Sequence, residues 1–154
     1  MIKYIFDLDN TLVYTDELNN EAYNYALKVL NKDTIDIDSR ITREIVFLKI
    51  KLNEDEKKTI LKIKQEYFIE NIKKLKLNEQ LISFLKSQNP EDCILWTKAD
   101  KNRVEAILNY FDLKKYFIWI FYSDKTNIIN DINFMTKKLC CSKCDLIIFD
   151  DIKY

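Results

Sequence analysis

The sequence predicts an α/β protein, with three layers around a parallel sheet and a helical segment inserted after the first strand. Two observations carry that reading. Four short runs are rich in β-branched and aromatic residues: Ile2–Phe6, Asp92–Thr97, Tyr116–Tyr122 and Leu146–Phe149. Each delivers polar chemistry at its C-terminal end: Asp7 and Asp9, then Thr97, then Lys125 within three residues, then Asp150 and Asp151. Parallel strands bring all of these groups to one edge of the sheet, the edge at which open α/β sheets bind ligands.

The first strand ends in Phe6-Asp7-Leu8-Asp9-Asn10-Thr11. Side chains alternate along a strand, so Asp7 and Asp9 share a side if the extended geometry persists, with Leu8 pointing away. Two carboxylates packed together are costly unless a cation holds them, and a hard oxygen cluster suits Mg²⁺.

Between Val13 and about Pro90 the chain reads helical and lies outside the sheet. Asp16 to Leu30 forms one helix, with Leu18, Ala22 and Tyr25 on a face. Ser39 caps a second, with Ile41, Ile45 and Leu48 in register. Glu54 to Lys74 makes a third, with Ile60, Ile63 and Tyr67 inward; Tyr67 and Phe68 read as core at helical spacing. Leu77 to Ser87 is a fourth, which rejoins the sheet region ahead of the single proline. The domains expected are a sheet core of residues 1–13 and 78–154 and a helical insertion of 14–77.

A further helix carries Ile128, Ile132, Met135 and Leu139 at i, i+4, i+7 and i+11. It decides between rival lysines. Lys137 and Lys138 sit near its far end, on the opposite side of the sheet, whereas Lys125 lies just before its N-terminus on the edge that carries the carboxylates.

At 154 residues and 47% hydrophobic content the chain is one domain with a modest insertion and a real core. Its formal net charge of +0 gives no pull toward nucleic acid. No run is long enough to span a membrane and no basic-then-apolar leader is visible, so the expected location is the cytoplasm. Cys141-x-x-Cys144 has zinc-ligand spacing but no second pair and no histidine accompanies it, so the four cysteines read as reduced thiols. The seven lysines between Lys57 and Lys76 read as a solvated face rather than as an anion funnel. Glycine is absent, so turns with positive φ must use Asn or Asp.

Taken together, these motifs resemble the haloacid dehalogenase superfamily of phosphohydrolases. That family carries an Asp-x-Asp-x-Thr loop, a Thr or Ser after the second motif strand, a Lys, and an acidic pair. Phe6 to Leu27 is similar without gaps to its phosphatase and phosphomutase branch: FDLDNTLVYTDEL followed by Ala22, Ala26 and Leu27. Leu95-Trp96-Thr97-Lys98, Leu108, Phe111, Tyr116-Phe117 and Ile120-Phe121 extend the likeness. Asn10 stands where the family often has Gly.

The resemblance implies a Rossmann-like core, a helical cap that closes over the site and selects the substrate, and Mg²⁺-dependent hydrolysis of a small phosphomonoester such as a nucleotide or sugar phosphate. Asp7 is then the nucleophile, Asp9 the general acid and base, Thr97 a hydrogen-bond donor to a phosphoryl oxygen and Lys125 the neutralising cation. Asn10, Thr11, Lys98 and Asn19 are the candidate substrate contacts. The metal falls to Asp7, the Asp9 carbonyl, Asp150 and Asp151; similarity of Phe149-Asp150-Asp151 to the branch's Phe-Glu-Asp implies Asp151 as the direct ligand and Asp150 outside it. The chain stops three residues after Asp151, where relatives continue with a strand and helix that include a further Asp, and Thr126 replaces a frequent Pro. Alternative readings are therefore a truncated or regulatory, non-catalytic member, or a phosphatase of nucleic-acid ends.

Overall fold

The computed structural model describes residues 1–151. The chain divides into two compact units, Met1–Tyr14 with Leu77–Tyr154, and Thr15–Lys76. The first contains the sheet. Its strands are β1 (Lys3–Phe6), β4 (Cys93–Thr97), β5 (Trp119–Tyr122) and β6 (Leu146–Phe149), ordered β5-β4-β1-β6. Every pairing is parallel: Phe6 lies beside Leu95 and Phe149, and Thr97 beside Tyr122. The α/β class read from the sequence is the observed one. β2 (Val13–Tyr14) and β3 (Lys76–Leu77) form a separate two-stranded ribbon. There the Asn78 amide N–H donates to the Leu12 carbonyl (2.8 Å) and its side chain to Thr11 O (3.0 Å).

Alternation along the central strands covers both faces of this sheet. Ile5, Ile94 and Trp96 cluster with Met135, and with Ile128, Ile132 and Leu139, on helix α6 (Ile128–Leu139). On the other face Phe6 stacks on Phe149 (5.0 Å between centroids), and Phe84 of α4 (Glu79–Ser87) meets Tyr4 edge-on at 5.1 Å. Helix α5 (Lys101–Tyr110) buries Val104, Ile107 and Leu108 completely. The third strand is shorter than its apolar run, because a 3₁₀ turn takes Lys114–Tyr116 before β5 begins.

The second unit is helical: α1 (Asp16–Val29), α2 (Arg43–Lys49) and α3 (Glu54–Glu70). Tyr23, Ala26, Leu27, Ile35, Ile41, Val46 and Ile60 form its core. Asn53 caps α3 through a reciprocal capping box with Glu56. Three expectations need correction. Thr42, not Ser39, caps α2, because Asn19 and Asn20 take the carbonyl and N–H of Ile41 and hold that residue outside the helix. Val46 then faces inward and Leu48, on the opposite side of the turn, is exposed. Tyr25 is also exposed, flanking the buried stripe of α1, although its ring stacks on Tyr67 at 4.4 Å.

Positive φ occurs at Asn10, Asn31 and Asp112, residue types that tolerate it, but also at Lys125 and Cys140. The rule that only Asn or Asp would fill these turns is therefore too narrow. Cys140 closes α6 in the left-handed region, with its N–H on the Lys137 and Thr136 carbonyls. A side chain with Cβ costs about 1 kcal/mol there. Cys140→Gly should accordingly raise the unfolding free energy by about 1 kcal/mol in urea denaturation; an unchanged or lower midpoint would show that the cap carries no strain.

Candidate active site

The residue after each central strand reaches the same edge because the ladder continues past the strand ends. Asp7 N–H donates to the Phe149 carbonyl (2.9 Å) and Ser123 N–H to that of Thr97 (3.0 Å). Beyond Asp7 the chain does not stay extended. It curls around the Leu8 carbonyl, which accepts from the N–H groups of Thr11, Leu12 and Val13. Asn10 makes this turn possible at φ 59°.

Lys125 is the centre of the constellation. Its Nζ lies 3.0 Å from Oδ1 of Asp7 and 2.8 Å from Oδ2 of Asp150, over the Trp96 ring at 4.5 Å. Thr11 Oγ1 donates to the other Asp7 oxygen at 3.5 Å. Asp7, Asp150 and Asp151 each offer a carboxylate oxygen within 4.8 Å of the others. That is a hard, anionic donor set of the kind a divalent cation with oxygen ligands takes. Burial pushes the Asp7 carboxyl up to about 6; Lys125 opposes this and the Asp150 charge adds to it. Asp151 is raised as well, first by burial and then by the hydrogen bond and charge of Asp150.

Thr97 is buried at the end of β4 and its Oγ1 accepts from the Ala99 N–H at 3.1 Å. Lys98, next to it, is exposed. Lys138 lies with its ammonium 4.0 Å from the Trp119 ring centroid, whereas Lys125 reaches the carboxylates. Asn19 belongs to the helical unit, is 2% exposed, and commits its amide to the Ile41 carbonyl at 2.8 Å.

Three residues that the motif reading passed over support the site. Asp131 on α6 accepts from the Trp96 indole N–H at 3.2 Å and from the Ser123 hydroxyl, and Ser123 Oγ accepts from the Lys125 N–H at 3.1 Å. Arg103 on α5 forms an ion pair with Asp9. The signal for Arg103 was present in the sequence, since it falls in the apolar register of Val104, Ile107 and Leu108.

Because the folded Asp7 carboxyl binds its proton more tightly than the unfolded one, the folded state holds more protons between about pH 4 and pH 6. Its contribution to stability therefore falls as pH rises through that window. In EDTA, the unfolding free energy of the wild type relative to Asp7→Asn should drop on the order of 2 kcal/mol between pH 4 and pH 7. A pH-independent difference in urea midpoints would contradict the burial argument.

A profile of the haloacid dehalogenase-like hydrolases matches residues 4–154. No curated protein sequence matches. Among solved structures, a haloacid dehalogenase-like family hydrolase from Streptococcus pneumoniae superimposes with a TM-score of 0.74 at 21% identity, over 99% of this chain and 77% of that one. A predicted phosphoglycolate phosphatase from Haemophilus somnus gives 0.78 at 18% identity, over 95% and 75%. CbbY from Rhodobacter sphaeroides, solved with phosphate, gives 0.76 at 18%, over 96% and 77%. With the family profile spanning nearly all of its length and the parallel sheet carrying its acidic edge, the chain belongs to the haloacid dehalogenase-like hydrolase family.

Proposed function

We propose that the protein is a Mg²⁺-dependent phosphatase that hydrolyses a small phosphomonoester through an aspartyl-phosphate on Asp7. The observation that carries this reading is the bridge of Lys125 between Asp7 and Asp150 inside the three-carboxylate cluster. A phosphoryl group in transfer needs a nucleophile, a proton donor for its leaving oxygen, and positive charge on its equatorial oxygens.

Asp7 supplies the nucleophile. One carboxylate oxygen attacks phosphorus, the bond to the leaving alcohol breaks, and Asp9 gives that oxygen its proton. Asp9 then takes a proton from water, which attacks phosphorus and breaks the bond to Asp7, releasing phosphate. Lys125 neutralises charge shared between Asp7 and the phosphoryl oxygens, and the Thr97 hydroxyl, oriented by its bond from Ala99 N–H, donates to one of them. Asn10, Thr11 and Lys98 line the same loops and are the substrate contacts we retain. Asp7, Asp150 and Asp151, with the Asp9 carbonyl, would hold Mg²⁺, which when bound serves as a Lewis acid and template.

The substrate class is a small phosphorylated metabolite. Structural neighbours include the predicted phosphoglycolate phosphatase, and a mutant of CbbY has been solved with xylulose-1,5-bisphosphate. No described helix is long and apolar enough to cross a membrane.

Phosphate release from p-nitrophenyl phosphate, nucleoside monophosphates and sugar phosphates tests the reading. Turnover should require Mg²⁺, vanish with Asp7→Asn, and fall by about 10²–10⁴ with Asp9→Asn. Lys125→Ala should abolish it, while Lys138→Ala should leave it within about twofold of wild type. Activity that survives Asp7→Asn would remove the nucleophile assignment. Folded protein without turnover on any substrate would favour a regulatory member of the family.

A further inference from the structure

We infer that Arg103 is a positioning residue for Asp9, a role that rests on the phosphatase reading above. Its placement is costly in two ways. Arg103 sits in the first turn of α5, where Asp100 caps the helix and accepts from the Arg103 N–H at 3.2 Å. A cation there opposes the helix dipole, whose positive end lies at the N-terminus. The residue is also only 8% exposed, and taking a guanidinium out of water costs several kcal/mol unless an anion and hydrogen bonds compensate it.

The described structure gives that burial a specific partner. Nη2 of Arg103 donates to Oδ2 of Asp9, so one end of the Asp9 carboxylate is fixed from the α5 side. Asp9 itself lies in the loop after β1, in an isolated bridge to Val13, and backbone pairing of that kind does not fix a side-chain rotamer. A proton donor loses rate steeply when it is displaced from the leaving oxygen. The planar guanidinium, held by the buried face of a helix, is suited to setting the direction of a carboxylate. Arg103 does not touch the reacting atoms in this assignment; it acts through Asp9.

The test is a double-mutant cycle in turnover with an alkyl phosphomonoester and with p-nitrophenyl phosphate, whose leaving group needs little protonation. Arg103→Met should lower kcat for the alkyl ester by about 10- to 100-fold, a part of the whole general acid–base contribution, with KM nearly unchanged. The loss should be much smaller with p-nitrophenyl phosphate. In an Asp9→Asn background the same substitution should change kcat by less than about twofold, because the group it positions is already gone. Arg103→Lys should recover part of the loss. It also replaces Arg103→Met in the cycle if the latter fails to fold, as judged by circular dichroism. Equal losses in the two backgrounds, or a change confined to KM, would overturn the positioning role and leave the phosphatase reading standing. Absence of turnover by the wild type on both substrates would overturn both.

Discussion

Three carboxylates converge on one strand edge, and the ammonium of Lys125 offsets the repulsion between two of them. Bare, Asp7 and Asp150 would repel each other at the end of two adjacent strands, β1 and β6. Lys125 lies within 3.0 Å of one and 2.8 Å of the other, and is itself almost fully buried. Buried ion pairs of this kind add little net stability, because desolvation consumes most of the Coulomb gain. Breaking one is different, since it strands the remaining charges. The register of β1 between β4 and β6 is therefore tied to an electrostatic arrangement whose value lies in what it can bind.

Lys125 reaches that position at a conformational cost. Its φ of 58° places a side chain with Cβ in the left-handed region, about 1 kcal/mol or more above its relaxed geometry. The loop between β5 and α6 is braced to hold it there. Asp131 gathers the Trp96 indole and the Ser123 hydroxyl, and Ser123 takes the Lys125 N–H. Trp96 then offers its ring face to the ammonium. Helix, strand and loop are coupled through one aspartate, which links the packing of α6 on the sheet to the placement of a cation at the site. Strain that sits at a functional residue and is stabilised by its neighbours is a recurring feature of active sites.

How legible this was depended on the kind of signal. Strand ends followed by polar groups read directly, because apolar runs and the residues that terminate them are contiguous in sequence. Asp7, Thr97, Lys125 and Asp150 therefore emerged together, and the structure brings Asp7, Lys125 and Asp150 into contact. Arg103 and Asp131 did not emerge, since a charged residue within a helix usually marks a solvated face. Only its coincidence with the buried register of Val104 and Ile107 distinguishes Arg103. In the helical unit α2 starts after Thr42 because tertiary bonds from Asn19 and Asn20 to Ile41 outweigh the local capping signal of Ser39. Periodicity cannot register a bond made by a side chain 21 or 22 residues away.

Asp7 and Asp9 are the same residue type, two positions apart, yet the fold gives them different surroundings. Asp7 is buried and faces an ammonium delivered by the loop after β5, with a second carboxylate beside it. Asp9 sits past the end of β1, partly exposed, and faces a guanidinium delivered by α5. When two carboxylates in one site must do different chemistry, their environments have to separate them. Here the separation follows from the turn at Leu8, which breaks the strand's alternation and turns the two side chains toward different elements. A loop that stayed extended would have placed both on one side, before the same cation. The turn therefore gives the two carboxylates different partners, and the positive φ of Asn10 is the backbone feature that permits it in a chain without glycine.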